Sequence, residues 1–406
     1  MLLTWAASSG LNQTLSLDFL TPTLDGRITA SGGANGTRVN SSGVIVAATT
    51  PRFDYDPVTL AIRGLLVEEA RTNLLLYSDD FTGAAWATQG TANVTANTVQ
   101  DTDAATASNR YQDVTIANDS STRVAQWRVA KNQAQIVALQ HQVFGGTTVN
   151  YAIALNTATG AYNTASTLGS DPGANATVTD AGGFWLVTIV LENNSTGNTT
   201  ARQRFYPAYA SSLGGGSTVA DVTLTGTATC RYMGLELGSF ATSYIPTAGS
   251  AVTRTADSLT MTGTNFSSWF NAAAFSGLAQ FTVGSGVGTQ PIISYDDNSS
   301  NNQVRLYVSG TSLKFTVTTG GSTVADLTLG SVTAGSTYKA AFACAANDFA
   351  AVMTGGSVQT DTSGALPTVD RARIGSDQAG NYFDGWQQSF KAYPRRLTNA
   401  QLQVLT

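Results

Sequence analysis

Lysine and histidine are scarce in this chain of 406 residues. Lysine occurs only at positions 131, 314, 339 and 391, and the only histidine is His141. Helical enzymes draw heavily on Glu, Lys, Leu and Arg, so the composition is untypical of a helical protein. The net charge is −5, and no cluster of Lys and Arg interleaved with aromatic residues occurs. We therefore expect no nucleic-acid partner.

Long apolar runs are also missing. No stretch approaches the roughly 18 apolar residues that a membrane span requires, so we expect no membrane insertion. The start, MLLTWAASSG, has no basic region and only a short apolar run. We therefore expect no signal peptide and synthesis in the cytoplasm. The only cysteines, Cys230 and Cys344, fall in separate strand-like stretches. We expect free buried thiols here rather than a disulfide.

Thr, Ser, Gly, Asn and Ala dominate what remains, in short β-branched runs separated by turn residues. This pattern predicts an all-β fold. Alternation with period two is visible in YAIAL and WLVTIVL. Strand candidates of a first β-sandwich are RYQDVTI, STRVAQWRVA, AQIVALQHQVF, NYAIALN, FWLVTIVL, ARQRFYPAYA and TCRYMGLELG. Their turns (ANDSS, NTATG, ENNSTGN, SSLGGG) contain the Gly, Asn and Asp that hairpins need.

A second set of short strands follows an extended linker at 244–259 and predicts another antiparallel sandwich. Its candidates are AQFTVG, PIISYDD, QVRLYVSG, SLKFTVTT, VADLTLG, TYKAAFACA, DFAAVMTGG, ARIGSD and GWQQSFKAY. The ending RRLTNAQLQVL predicts a helix with Thr398 as its cap and Leu397, Leu402 and Leu405 as apolar positions.

We therefore expect three parts: an extended segment at 1–72, a first sandwich at 73–250 and a second at 251–406. The first segment shows little periodicity and is too thin to bury much surface alone. We therefore expect contacts with another body to stabilise it, either neighbouring subunits or a partner particle.

Catalysis finds little support in the sequence. Glu68 and Glu69 are adjacent, so on a strand they point to opposite faces and cannot flank one glycosidic bond together. His141 alternates with apolar neighbours in ALQHQVF, and no G-x-S-x-G motif accompanies it. One histidine without thiolate or carboxylate partners does not build a zinc site. We expect a structural or rim histidine, with contact to a ligand as the alternative, and no catalytic residue.

Three longer motifs carry a resemblance. They are RFDYDPVT…RGLLVEEARTNLLLYSDDF at 52–81, LELGSFATSYIPTAGSAVTRTADSL at 235–259, and GNYFDGWQQSFKAYPRRLTNAQLQVL at 380–405. Together they resemble bacteriophage structural proteins described as head-spike, head-fibre or tail-fibre proteins. LNTATG and GGFWLVTIVL also match strand features of that family. Phe184–Trp185 stands where the family suggests Trp-Tyr, which is a mild departure.

The resemblance implies a non-enzymatic protein on the virion surface. Its N-terminal segment would attach to capsid or tail proteins. A carbohydrate-binding-module-like jelly roll and a laminin-G- or concanavalin-like sandwich would then bind host surface polysaccharide. Homo-oligomers, most often trimers, are typical, and many copies supply avidity for a weak glycan site. Two alternatives stay open: a capsid decoration protein without a ligand, and a polysaccharide depolymerase.

Candidate sites follow from both lines of reasoning. Sugars stack on exposed aromatic rings, and Trp127 and Tyr206 have polar or proline neighbours that favour exposure. Laminin-G-like folds use rim loops for calcium and sugar, which makes Tyr295 a sugar candidate and Asp296 and Asp297 calcium candidates. A solvated turn is the alternative for the aspartates. Trp185, Phe383 and Trp386 are expected in the cores.

The charges near residue 70 are expected at a joint between parts of the chain. They are balanced in sign, which suits ion pairs that set register between subunits or with the particle. The four residues are Arg63, Glu68, Glu69 and Arg71.

Overall fold

The computed structural model describes residues 11–133, 135–165, 175–214, 217–218 and 220–406. They form two compact units. The terminal unit contains the residues up to Ala34, Arg38–Ala70 and Thr255–Thr406, and the middle unit contains Asn35–Thr37 and Arg71–Arg254. Both are built from antiparallel sheets, which confirms the predicted all-β class with two sandwiches. No helix within the described ranges has the length and apolarity to cross a membrane.

The first strands of the chain are β1 (Leu15–Asp18), β2 (Thr29–Ser31), β3 (Thr37–Val39), β4 (Ile45–Ala47), β5 (Arg52–Tyr55) and β6 (Ile62–Val67). The next are β7 (Arg71–Asn73), β8 (Ala87–Gln89), β9 (Ala92–Thr95), β10 (Thr98–Asp101), β11 (Asn109–Thr115), β12 (Thr122–Ala130), β13 (Ile136–Phe144), β14 (Val149–Leu155), β15 (Tyr162–Ala165), β16 (Asn175–Asp180), β17 (Phe184–Glu192), β18 (Thr200–Ala210), β19 (Ser217–Thr218), β20 (Gly226–Leu237) and β21 (Val252–Arg254). The last are β22 (Ser258–Thr262), β23 (Ala274–Val283), β24 (Thr289–Asp296), β25 (Gln303–Ser309), β26 (Ser312–Thr319), β27 (Ser322–Ser331), β28 (Thr337–Ala345), β29 (Asp348–Met353), β30 (Gln359–Asp361), β31 (Arg371–Ile374) and β32 (Gly385–Tyr393). The helices are α1 (Thr264–Ser267) and α2 (Asn399–Leu405).

The terminal unit packs two large sheets face to face. One has the order β30-β29-β28-β23-β32-β6-β5, with β1 also paired to β32. The other has the order β2-β22-β31-β24-β25-β26-β27. Their inner faces share one apolar core, in which the ring of Phe315 from the second sheet stacks on that of Phe342 from the first at 5.1 Å. The alternating apolar residues predicted from the sequence supply this core.

The described residues between 11 and 70 do not form the separate segment expected from the sequence. Strands β1 and β6 pair with β32, and β2 pairs with β22, so this stretch completes both sheets of the terminal unit. A thin segment gains its stability by extending an existing sheet, which satisfies its backbone and buries its few apolar side chains, such as Leu15 and Leu17. The segment is therefore stabilised by the C-terminal sandwich of its own chain, where the sequence suggested neighbouring subunits or a partner particle.

The middle unit is the second sandwich. A six-stranded sheet has the order β16-β17-β12-β20-β10-β9, and a seven-stranded sheet has the order β19-β15-β14-β13-β18-β11-β8. Inward side chains of both sheets, such as Trp127 of β12 and Leu139 of β13, meet in one core. Only the short β15–β19 pairing is parallel among the strand pairs of the described residues.

Several local predictions are confirmed. Both cysteines are free and buried, and burial raises the pKa of each thiol well above its ordinary value. Helix α2 begins after Thr398, whose hydroxyl accepts a hydrogen bond from the backbone of Gln401, while the side chain of Gln401 caps in return. Leu397 and Leu402 are buried beneath this helix, and Leu405 packs beside them.

Candidate functional site

Polar side chains collect on the outer face of the seven-stranded sheet in the middle unit. Along β13, Leu139 and Val143 point into the core, so Gln140 and Gln142 point the other way. Along β18, Ala201 and Phe205 are inward, which places Arg202 and Arg204 outward.

Strand pairing brings these residues into two neighbouring rows. Asn150, Gln142, Arg202 and Asp113 lie side by side across β14, β13, β18 and β11. Ala152, Gln140, Arg204 and Tyr111 form the next row across the same strands. We call the seven larger residues the polar face: Tyr111, Asp113, Gln140, Gln142, Asn150, Arg202 and Arg204.

Arg202 is held rigidly on the polar face. Its Nε and Nη2 both donate to the carboxylate of Asp113, which raises the pKa of Arg202. Its guanidinium lies over the ring of Tyr111 at 4.3 Å and over that of Phe144 at 4.9 Å. The ion pair and the two rings fix the plane of the guanidinium and leave its charge largely neutralised.

Arg204 has a different environment. Its Nη1 donates to Gln140 Oε1 at 2.8 Å, and its guanidinium lies 5.7 Å from the ring of Tyr111. Its Nε is buried without a hydrogen-bond partner in the described part of the chain, and so is Oδ1 of Asn150. The polar face therefore contains both a donor and an acceptor that the protein leaves unused.

A small apolar cluster covers the neighbouring part of the same outer face. Ala138, Ala152 and Ala154 supply its floor, and Tyr206 and Tyr209 pack on them with their rings 5.6 Å apart. Tyr206 borders Arg204, and burial raises the pKa of its hydroxyl. The polar face thus has an apolar border on one side, which is a common arrangement in small-molecule and sugar sites.

The aromatic residues proposed for sugar stacking are not on the surface. Trp127 is 0% exposed in the middle core, and Tyr295 is 1% exposed in the terminal core. Tyr206 is 5% exposed within the apolar cluster. Strand alternation turns Trp127 and Tyr295 into the cores, whereas Tyr206 is on the outer face and is covered by its neighbours in the apolar cluster. None of the three offers a free face for stacking, so the expectation of exposed platforms at these positions is not met.

Both tryptophans expected in the cores are only half-buried. Trp185 donates from Nε1 to the carbonyl of Thr157 at 2.7 Å, and Lys131 lies over its ring at 4.3 Å. Trp386 donates to Asp54 Oδ2 at 2.9 Å, and Arg63 lies over its ring at 4.8 Å. Phe383 is fully buried, as predicted.

The acidic loop after β24 uses its carboxylates within the protein. Asp296 is buried and accepts from Arg373 Nε at 2.8 Å. Asp297 accepts from the hydroxyl of Ser299 and from Nδ2 of Asn302, which lowers its pKa. No group of three metal-ligating side chains occurs among the described residues. The solvated-turn interpretation therefore fits Asp297, whereas Asp296 is the buried ion-pair partner of Arg373 at the end of β24.

The charges near residue 70 make contacts inside their own units. Glu68 is buried, with Oε2 2.7 Å from Nη2 of Arg52. Arg63 pairs with Asp56 at 2.6 Å. Arg71 donates to the carbonyl of Leu237 and lies over the ring of Phe240 at 4.5 Å. Glu69 is half-buried. Burial turns Glu68 toward its own core, so it is not available as the surface contact that the sequence suggested.

His141 is fully buried in the middle core, opposite Tyr151 and Gln203 on the paired strands. Burial lowers its pKa to about 4, and the backbone of Arg202 opposes this only in part. Neither ring nitrogen has a hydrogen bond of good geometry within the described residues. The predicted structural histidine is therefore the better description, and His141 has no access to a ligand.

Single aromatic residues in the sequence do not indicate the polar face. The signal that could have found it is polar alternation in three strands: Gln140 and Gln142, Arg202 and Arg204, and Tyr111 and Asp113. Each pair has period two, so each places both members on one face. Their convergence depends on β13, β18 and β11 being neighbours, which the sequence does not state.

Comparisons with known proteins give structural likenesses of low score. No protein-family model matches this chain, and no curated protein matches it. A CBM40 module of a Ruminococcus gnavus IT-sialidase bound to α2,3-sialyllactose is 14% identical, with a TM-score of 0.30 over 34% of this chain and 84% of that chain. The binding domain of botulinum neurotoxin DC in complex with SialylT is 12% identical, with a TM-score of 0.30 over 37% of this chain and 39% of that chain. At these scores the likenesses carry no argument about a ligand.

Proposed function

We propose that this chain is a non-enzymatic glycan-binding protein and that the polar face of the middle unit is its binding surface. The observation that carries the proposal is the convergence of five planar hydrogen-bonding side chains on one sheet face. They are Gln140, Gln142, Asn150, Arg202 and Arg204. Amide and guanidinium groups present donors and acceptors at fixed spacing, as the neighbouring hydroxyls of a sugar require.

Rigidity of the surface also supports this role. Arg202 is fixed by Asp113 and two rings, and Arg204 by Gln140, so their side chains lose little freedom when a ligand binds. Each neutral hydrogen bond contributes only about 1 kcal/mol. A face of this size therefore suits weak binding of a single sugar unit, strengthened by many copies.

The biological setting is proposed from the sequence motifs. The stretches at 52–81, 235–259 and 380–405 resemble phage spike and fibre proteins, so we place the chain on a virion surface after synthesis in the host cytoplasm. Capsid or tail proteins and further copies of the chain, in a trimer, would be its partners, and host surface polysaccharide its ligand. Detection of the chain in purified particles by mass spectrometry tests this setting, and its absence there would refute it.

A glycan array with the purified chain tests the binding role. We expect a small set of oligosaccharides to be retained, and the double change Gln142→Ala and Asn150→Ala to abolish retention. The control is Thr177→Ala with Thr188→Ala, which removes two hydrogen-bonded hydroxyls from the other sheet of the same unit. Equal retention by both double variants would contradict the proposal.

The absence of catalysis is tested on the same oligosaccharides. Each retained glycan is incubated with the chain, and new reducing ends are measured over time. We expect none above the level of a buffer control. Sustained release would instead support a polysaccharide depolymerase, and an array without any retained glycan would support a decoration protein.

A further inference from the structure

Arg204 lacks the carboxylate partner that several other arginines of the middle unit have. In the middle unit, Arg202 pairs with Asp113, Arg123 with Asp119 and Arg231 with Asp79. For Arg204, no carboxylate oxygen of the described residues lies within ion-pair distance. Its contacts are the neutral Gln140, the ring of Tyr111 and the hydroxyl of Tyr206.

In the absence of a ligand, the lack of a carboxylate partner for Arg204 raises the free energy of the folded protein, because of where the side chain lies. The side chain is half-buried, and its Nε is removed from solvent without an acceptor. A cation that loses water contacts without gaining a counterion raises the free energy of the folded state. Asp113 in the neighbouring row is already committed to both Nε and Nη2 of Arg202. On the polar face, the charge of Arg202 is therefore balanced by Asp113, and the charge of Arg204 remains available to an external anion.

Asn150 supplies a second unused group on the same face. Its Oδ1 is buried without a donor in the part of the chain that the structure describes. Asn150 lies two strands and one row away from Arg204. Strand spacing and rise place the two backbone positions about 12 Å apart. Because the arginine side chain is long, the distance between the Arg204 guanidinium and the Asn150 side chain can be spanned by one or two sugar rings.

We propose that the polar face binds an acidic saccharide, with the sugar carboxylate as the counterion of Arg204 and a sugar hydroxyl donating to Asn150 Oδ1. The proposal rests on the glycan-binding role given above and names the class of glycan. A carboxylate matches the planar guanidinium fork better than a neutral hydroxyl does. Arg202, which keeps Asp113, acts as a positioning residue beside it.

The test uses a matched pair of probes: an oligogalacturonate and the same oligosaccharide with its carboxylates reduced to alcohols. A sulfated oligosaccharide of similar length forms a third arm. Affinities are measured by titration calorimetry with the full chain at two salt concentrations. We expect the oligogalacturonate to bind at least about tenfold more tightly than its reduced form, which corresponds to about 1.4 kcal/mol. This preference should shrink as salt rises.

Variants then locate the effect. Arg204→Gln should remove the preference for the acid, while Arg204→Lys should keep part of it through its charge. Arg305→Gln is the matched control, because Arg305 also lies over a tyrosine but belongs to the terminal unit and already pairs with Asp377. Asp113→Asn should increase affinity for the acid severalfold, since it frees Arg202. Melting temperatures of all variants exclude loss of the fold as the cause.

The outcomes separate this inference from the proposed function. Equal binding of the acid and its reduced form would overturn the inference and leave the glycan-binding role intact. Binding of the sulfated probe alone would overturn the assignment to a carboxylate. Retention of the acid preference in Arg204→Gln would show that another site carries it. If neither these probes nor any glycan on the array binds, the inference and the proposed function both fail.

Discussion

Replacing Arg52 with methionine should destabilise the terminal unit strongly. Arg52 is fully buried in β5 between two carboxylates, with Nη2 2.7 Å from Glu68 Oε2 and in contact with Asp257. Methionine has a similar volume but no charge, so it leaves two buried carboxylates close together without a cation. Removing one partner of a buried ion pair costs about 3–5 kcal/mol. We expect a loss of at least about 3 kcal/mol at pH 7.

The number of buried charges left without a partner predicts how the loss of stability ranks among related variants. Glu68→Gln leaves Arg52 balanced by Asp257, so its cost should be smaller, about 1 kcal/mol. Lys314→Met is the matched control in the same unit, because its pair with Asp326 at 3.0 Å is exposed and worth less than about 1 kcal/mol.

Urea unfolding followed by tryptophan fluorescence and circular dichroism measures these differences. A loss at pH 7 no larger than that of Lys314→Met would refute this account of the buried ion cluster.

Three further predictions concern single positions. Because burial lowers the pKa of His141 to about 4, the middle unit should lose up to about 3 kcal/mol of stability as pH falls from 6.5 to 4, and His141→Asn should remove this loss in urea unfolding. Thr398→Ala should cost the terminal unit about 1 kcal/mol, measured by thermal unfolding against Thr406→Ala, because it removes the helix cap. Gly160→Ala should destabilise the middle unit by about 1–3 kcal/mol, since φ is +77° and a Cβ would lie 2.7 Å from the Trp185 ring, whose fluorescence reports the shift.

Local patterns predicted the elements well, for reasons that lie within a few residues. Alternation in YAIAL places β14 with one face in the core, and the capping residues of TNAQ place the start of α2 at Asn399. Turn residues such as those of LNTATG need only their own backbone conformation, as the positive φ of Gly160 shows. Such features depend on little beyond their immediate neighbours.

The pairing of strands that are far apart in the chain could not be predicted from the sequence. Leu15 of β1 lies opposite Ala392 of β32, and nothing in either stretch identifies the other. The same holds for the contact of Arg52 with Asp257, which makes Glu68 a buried ion-pair partner rather than a surface charge. In the middle unit, Arg204 became a candidate only when pairing placed it between Gln140 and Tyr111.

An NMR titration of arginine side-chain Nε–H signals with the tightest glycan from the array tests the central claim most directly. The claim predicts saturable shifts of the Arg202 and Arg204 signals, with the signal of Arg305 unchanged. Both arginines lie on the polar face, so a ligand bound there alters their hydrogen bonds or ring contacts. A glycan that binds tightly while both signals stay in place would contradict the claim.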